Sequence, residues 1–173
     1  MNWLKQVIIA VLFIFFAILQ ASFFPYVAIA GAVPNLVFAL FFVLIFFEPQ
    51  QAYFEGFLAV LIAGLVQDIF LPPYFGISMG SLLIVYFLYK SIGHFLKGDQ
   101  RKYLIFYFMI VFSLLFGAYN ALLYGASVLL NFEFNIGPAT LTSLAYSLVF
   151  AAAGFYVGRN IFSENSHNQL KLL

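Results

Sequence analysis

Residues 64–76 read GLVQDIFLPPYFG. An apolar run carries one carboxylate, Asp68, four residues ahead of Pro72-Pro73, and Gly76 then opens a second apolar run. Proline has no backbone N–H and cannot continue a helix that approaches it. The stretch therefore reads as the end of one helix, a stiff reversal and the start of the next. Each flanking run is near the ~20 residues that cross a hydrocarbon core, which makes this a turn between two membrane spans. An acid there needs a reason, because an ionisable group costs about 2.5–3.5 kcal/mol at the centre of a span and normally faces protein or water.

Outward from this turn the pattern repeats. Proline, glycine and charge divide the chain into six apolar runs, near 4–24, 34–50, 52–71, 76–96, 103–130 and 138–160. The composition agrees: of 173 residues, 65% are hydrophobic, 21% aromatic and only 8% charged, outside the range of soluble domains. The expected fold is an all-α membrane protein, a bundle of six transmembrane helices in one domain over 1–162, with a short mobile tail over 163–173. No small-residue cleavage site follows the MNWLKQ start, so the first run is expected to be a retained helix. The absence of cysteine excludes disulfide and thiolate chemistry, and a net charge of +1 leaves no basic surface for nucleic acid.

Orientation follows from the basic residues. On this division all seven, Lys5, Lys90, Lys97, Arg101, Lys102, Arg159 and Lys171, fall on one side, which the positive-inside rule makes cytoplasmic. Both termini are then expected in the cytoplasm, with Trp3 as an interfacial anchor. The three outer connections contain Pro25, Pro34, Pro72, Pro73 and Pro138. Pro34 and Pro138 are placed at helix starts, where a missing N–H costs nothing.

Catalytic constellations fail on geometry. Gly76-Ile77-Ser78-Met79-Gly80 matches the G-x-S-x-G elbow of serine hydrolases, but His94 lies roughly 24 Å further along the same helix and His167 lies in the tail. Asp68 and Asp99 are expected at opposite membrane faces, so no carboxylate pair shares a proton. Clustered metal ligands are missing as well. The expectation is a protein that is not an enzyme, with no catalytic residues, no metal and no cofactor.

The third run carries more information. Ala52, Gly56, Ala59, Ala63 and Gln67 recur at three- and four-residue steps and share one helix face, and small residues there permit close helix contact. Gly64 lies one turn before Asp68 on a neighbouring stripe. Two readings of Asp68 stand side by side: an acid that caps the outer turn or bonds the Leu71-Pro72-Pro73 backbone, and a buried hydrogen bond to Gln20 or Asn35. Glu48, Glu55 and Glu133 are expected in water or headgroups. Asn120, beside Tyr119, is expected to make a helix-to-helix hydrogen bond.

Taken together, Leu19-Gln20-Ala21-Ser22, Val33-Pro34-Asn35-Leu36, Gly56-Phe57, Gly64-Leu65-Val66-Gln67-Asp68 and Phe75-Gly76 resemble, in order and spacing, the motifs of the MreD family of rod shape-determining membrane proteins. The resemblance covers roughly the first hundred residues. It implies a non-catalytic scaffold subunit of the bacterial elongation complex in the cytoplasmic (inner) membrane. Its implied partners are the bitopic protein MreC, the polymerase RodA with its transpeptidase, and MreB. The residues it singles out as partner-binding or structural are Gln20, Pro34, Asn35, Gly56, Gly64 and Asp68. The family is similar in fold to the substrate-binding subunits of energy-coupling-factor vitamin transporters, which is the rival reading. Against that rival, the outer segments offer Ser78, Ser81, Asn131, Glu133 and Asn135 but no Arg, Lys, His or Trp, a thin set for a ligand cage.

Overall fold

A computed structural model describes residues 3–48, 53–70, 75–95, 104–132, 134 and 136–169. Among them the chain is all-helical: α1 (Trp3–Ser22), α2 (Leu36–Phe47), α3 (Phe54–Phe70), α4 (Ile77–Phe95), α5 (Leu104–Leu130) and α6 (Pro138–Gln169), with a 3-10 turn at Phe24–Val27. Ala52, Leu71, Pro72, Pro73, Lys97, Asp99, Arg101, Lys102, Glu133, Asn135 and Lys171, about which the sequence raises expectations, lie outside the described residues.

The bundle is organised around α2. Its sequence, LVFALFFVLIFF, is apolar on every side, and a helix without a polar face is stable only where every face is covered. Accordingly Leu36, Val37, Phe38, Phe41, Phe42 and Ile45 are all 2% exposed or less. α2 packs most extensively on α6, then on α3 and α1, and touches α5. Aromatic rings fill these seams: Phe108 of α5 sits 5.0 Å from Phe42, 4.9 Å from Phe46 and 4.9 Å from Phe155 of α6, centroid to centroid. Tilted and edge-to-face pairs of this kind contribute about 0.5–1.5 kcal/mol each beyond burial. Phe38 meets Phe116 and Tyr119 at the other end of the same seam, at 5.3 and 5.2 Å. Consecutive helices run in alternate directions, so the bundle has an Asn35 end and a Glu48 end.

α3 and α4 form the other extensive contact, and the small-residue face explains it. Gly56, Ala59, Ala63 and Gln67 are all buried, as their spacing led us to expect. A Cβ placed on Gly64 would strike the Met79 backbone at Cα and approach Met79 Cβ to 2.6 Å. Because a backbone atom cannot rotate away, Gly64→Ala is expected to force α3 and α4 apart and cost about 1–3 kcal/mol. Gly80, whose Cβ would meet nothing within 4 Å, is the control: Gly80→Ala should be neutral or stabilising by up to about 1 kcal/mol from helix propensity. Thermal unfolding midpoints of the two variants in one detergent check the contrast, and equal midpoints would count against it.

Two helices, Leu104–Leu130 and Pro138–Asn160, are long and apolar enough to cross a membrane, while Gln6–Ser22, Leu36–Phe47 and Ile77–Ile92 are apolar over shorter lengths. The outer faces are apolar as well. Phe106, Ile110 and Leu114 make an exposed stripe along α5, and Val7, Val11, Ile14 and Ile18 do the same along α1.

Two local expectations are corrected. Pro34 does not begin a helix: Asn35 is the N-cap and Leu36 the first helical residue, so buried Pro34 sits one residue earlier. Pro138 does open α6, but that helix runs on to Gln169, nine residues beyond the expected limit of 160. Lys90 lies inside α4, within the expected run 76–96, and is 5% exposed.

Candidate functional site

Helix starts leave backbone N–H groups without partners, and here the preceding helix supplies the acceptor three times in succession. Gln20, in the last turn of α1, accepts from the N–H of Leu36 at 2.8 Å and of Val37 at 3.3 Å through Oε1. Glu48, just after α2, accepts from the N–H of Gly56 in the first turn of α3 at 2.6 Å. Asp68, in the last turn of α3, accepts from Gly76 at 2.8 Å and Met79 at 3.3 Å through Oδ2, and from Ser78 at 2.8 Å through Oδ1. The two carboxylates also meet the positive end of the next helix dipole, which favours a negative charge there. Thus Asp68 caps the next helix. The alternative reading, a hydrogen bond from Asp68 to Gln20 or Asn35, is not what the structure shows: Asp68 is spent on the α4 backbone, and Gln20 and Asn35 are held by α2.

At the Asn35 end a second set of bonds ties the helices sideways. Asn35 caps its own helix through Oδ1, which accepts from Phe38 N–H at 2.9 Å and from Gln67 Nε2 at 2.9 Å. Gln67, 1% exposed, in turn accepts a 2.6 Å bond from the Tyr119 hydroxyl of α5. The Asn35 N–H donates to Ser147 Oγ at 2.7 Å, and Ser143 Oγ donates to the Val33 carbonyl at 2.7 Å, so α6 joins the same knot. Four helices and the α1–α2 connection are locked without a single ion pair among these groups. A buried polar group without a partner costs about 1–3 kcal/mol, so the knot holds only as a complete set.

Above the knot lies a cavity of about 400 Å³. Its polar lining is Gln20, Asn35, Gln67, Tyr119, Asn120 and Ser143, and its apolar walls include Phe70, Phe116, Leu123 and Phe134. The helix-to-helix hydrogen bond expected of Asn120 is not formed. Its Nδ2 donates to the Phe116 carbonyl in its own helix at 2.8 Å.

The Glu48 end holds a buried charge pair instead. Lys90 Nζ lies 2.8 Å from Glu48 Oε2, with side chains 5% and 2% exposed. The ammonium also lies over the Tyr53 and Tyr86 rings, 5.2 and 5.5 Å from their centroids, inside the ~6 Å reach of a cation–π contact. The Tyr86 hydroxyl is within 3.2 Å of Glu48 Oε2 and 3.1 Å of the Tyr53 carbonyl. The expectation that Glu48 sits in water or headgroups is therefore overturned: the first turn of α3 and the cation of α4 fold around it. Gly56 is required by this arrangement, since a Cβ there would strike the Tyr86 ring and lie 2.5 Å from Glu48 Oε2. Glu55, one residue earlier, is exposed.

Of the residues singled out from sequence, Gln20 and Asn35 come together, Gly64 and Asp68 join α3 to α4 nearby, and Gly56 belongs to the opposite end. Sequence reasoning missed Gln67 as a bonding group, along with Tyr119, Ser143, Ser147 and Lys90. The one legible signal was Gln67 on the small-residue face, where a polar side chain needs a partner. Among the described residues no group of three or more His, Cys, Asp or Glu is placed to hold a metal ion. No family model matches the chain, and no match came from the curated proteins or the solved structures.

Proposed function

We propose that this chain is a non-catalytic membrane scaffold subunit of the bacterial rod complex, the role implied by its resemblance to the MreD family. In this reading all six helices span the inner membrane, the Glu48 end and both termini face the cytoplasm, and the Asn35 end faces outward. Exposed apolar stripes on α1 and α5 support a lipid environment, since without lipid they would leave large apolar side chains in water. Lys90 and Arg159 both belong to the Glu48 end, which supports the orientation.

The observation that carries the proposal is convergence. Motif residues from separate segments, Gln20, Asn35, Gln67 and Asp68, act together in holding one end of the bundle. A shaped, rigid end suits a subunit whose task is to hold a partner such as MreC in place beside RodA, its transpeptidase and MreB. The test is isolation of the tagged chain from its native membrane in mild detergent, with identification of what accompanies it. Recovery of MreC with wall-synthesis proteins is the expected result. Recovery of an ATPase pair in their place would overturn the scaffold and move the protein to transport.

A further inference from the structure

Two side-chain amide nitrogens at the Asn35 end have no partner among the described residues, and the cavity they line points to a ligand. Gln20 Oε1 is identified as the oxygen because two backbone N–H groups point at it, so its amide nitrogen turns elsewhere. Asn35 Oδ1 is identified in the same way by Phe38 N–H and Gln67 Nε2, which leaves its Nδ2 unspent. Neither nitrogen has a partner among the described residues, and both side chains line the cavity. Two primary amides therefore offer up to four N–H donors. On the acceptor side, Asn120 uses its Nδ2 on Phe116 and leaves Oδ1 as the only unspent amide oxygen among the described lining residues. None of those lining residues is charged.

We infer that this cavity is a binding site for a small uncharged molecule rich in hydrogen-bond acceptors, of the cyclic amide or imide type. The unspent amide N–H groups of Gln20 and Asn35 call for carbonyl or ring-nitrogen lone pairs on the ligand, while Asn120 Oδ1 and the Ser143 and Tyr119 hydroxyl oxygens can accept in turn. With no cation among the described lining residues, an anion would give up part of its hydration without a countercharge, which is costly. Phe70 and Phe116 provide apolar walls for a flat body, and about 400 Å³ lies within the range of small-molecule pockets. This goes beyond the scaffold reading and does not depend on it, since binding is assayed on the isolated chain.

The probe is caffeine, which is flat, neutral and carries acceptors without N–H donors, with benzoate and benzylamine as charged counterparts of similar size. Full-length protein in detergent, labelled with 15N, is titrated while the side-chain amide signals are followed, and thermal midpoints are recorded in parallel. Caffeine is expected to bind saturably, at about 1 mM or tighter as befits a ligand of its size, and to move the Gln20 and Asn35 amide signals. Ala21→Trp, which fills the cavity from α1, should abolish this. Gln20→Glu retains an oxygen for the α2 cap but exchanges the free donor for an acceptor, and should weaken caffeine at least tenfold with little change in the unfolding midpoint. Three results would overturn the inference: no saturable caffeine binding, equal binding in Ala21→Trp, or a preference for benzoate or benzylamine. Partner recovery by the isolation experiment is unaffected by any of them, so the two readings fail separately.

Discussion

Replacing Lys90 by methionine is expected to destabilise the protein by about 3–5 kcal/mol, the range for breaking a buried pair from one side. The variant keeps the length and apolar stem of the side chain, so little packing is lost. What remains is the Glu48 carboxylate, its side chain 2% exposed, with the Gly56 N–H and the Tyr86 hydroxyl but no cation at 2.8 Å. Removing the charge as well, in Glu48→Gln/Lys90→Met, should recover most of the loss, because a neutral amide still accepts from Gly56 and carries no desolvated charge. Thermal midpoints of the single and double variants in the same detergent give the comparison. Should Lys90→Met alone leave the midpoint unchanged, the cluster is not held as an ion pair and its role as the lock of the Glu48 end is wrong.

Asp68→Ala is the second large effect, expected to cost about 2–3 kcal/mol, in line with the loss of charge-assisted capping bonds. Three N–H groups at the start of α4 lose their acceptor together, and Ser78, 4% exposed, has little water to turn to. Asp68→Asn keeps one oxygen and is expected to lose about half as much, since asparagine is a competent cap without the charge. The same ordering should appear in partner recovery if the α3–α4 turn shapes the docking end: wild type highest, Asn intermediate, Ala lowest, with membrane insertion intact. Full MreC recovery and rod shape with Asp68→Ala would show that the cap serves the fold alone.

Much of this architecture was legible because long apolar runs broken by proline and glycine announce helices of this kind. The α3 face could be read from period alone, since Gly56, Ala59 and Ala63 are small for a steric reason that spacing records. Asp68 could be recognised as anomalous, and capping was one of its two readings. What spacing could not give was the identity of its partners: a carboxylate near a helix end can turn to its own backbone, to Gln20 or Asn35, or to the next helix. Glu48 shows the same limit more sharply. Beside a Pro-Gln-Gln turn it looks solvated, and only the arrival of Lys90, 42 positions later in the chain, makes burial tolerable.

By itself, then, the amino-acid order determined the all-helical class, the approximate extent of each helix and the positions where close helix contact is required. These are local properties: apolar runs, proline breaks and side-chain size act within a few turns of their own helix. The tertiary structure alone decided that each of the first three helices caps the one after it. It alone also brought Gln20, Asn35, Gln67 and Tyr119 into one knot and left two amide groups facing a cavity. Hydrogen bonds between distant residues depend on which faces meet, and the rotation of one uniformly apolar helix such as α2 against its neighbours is not written in its own pattern. It is set when the few polar groups of the other helices find partners they cannot leave unpaired.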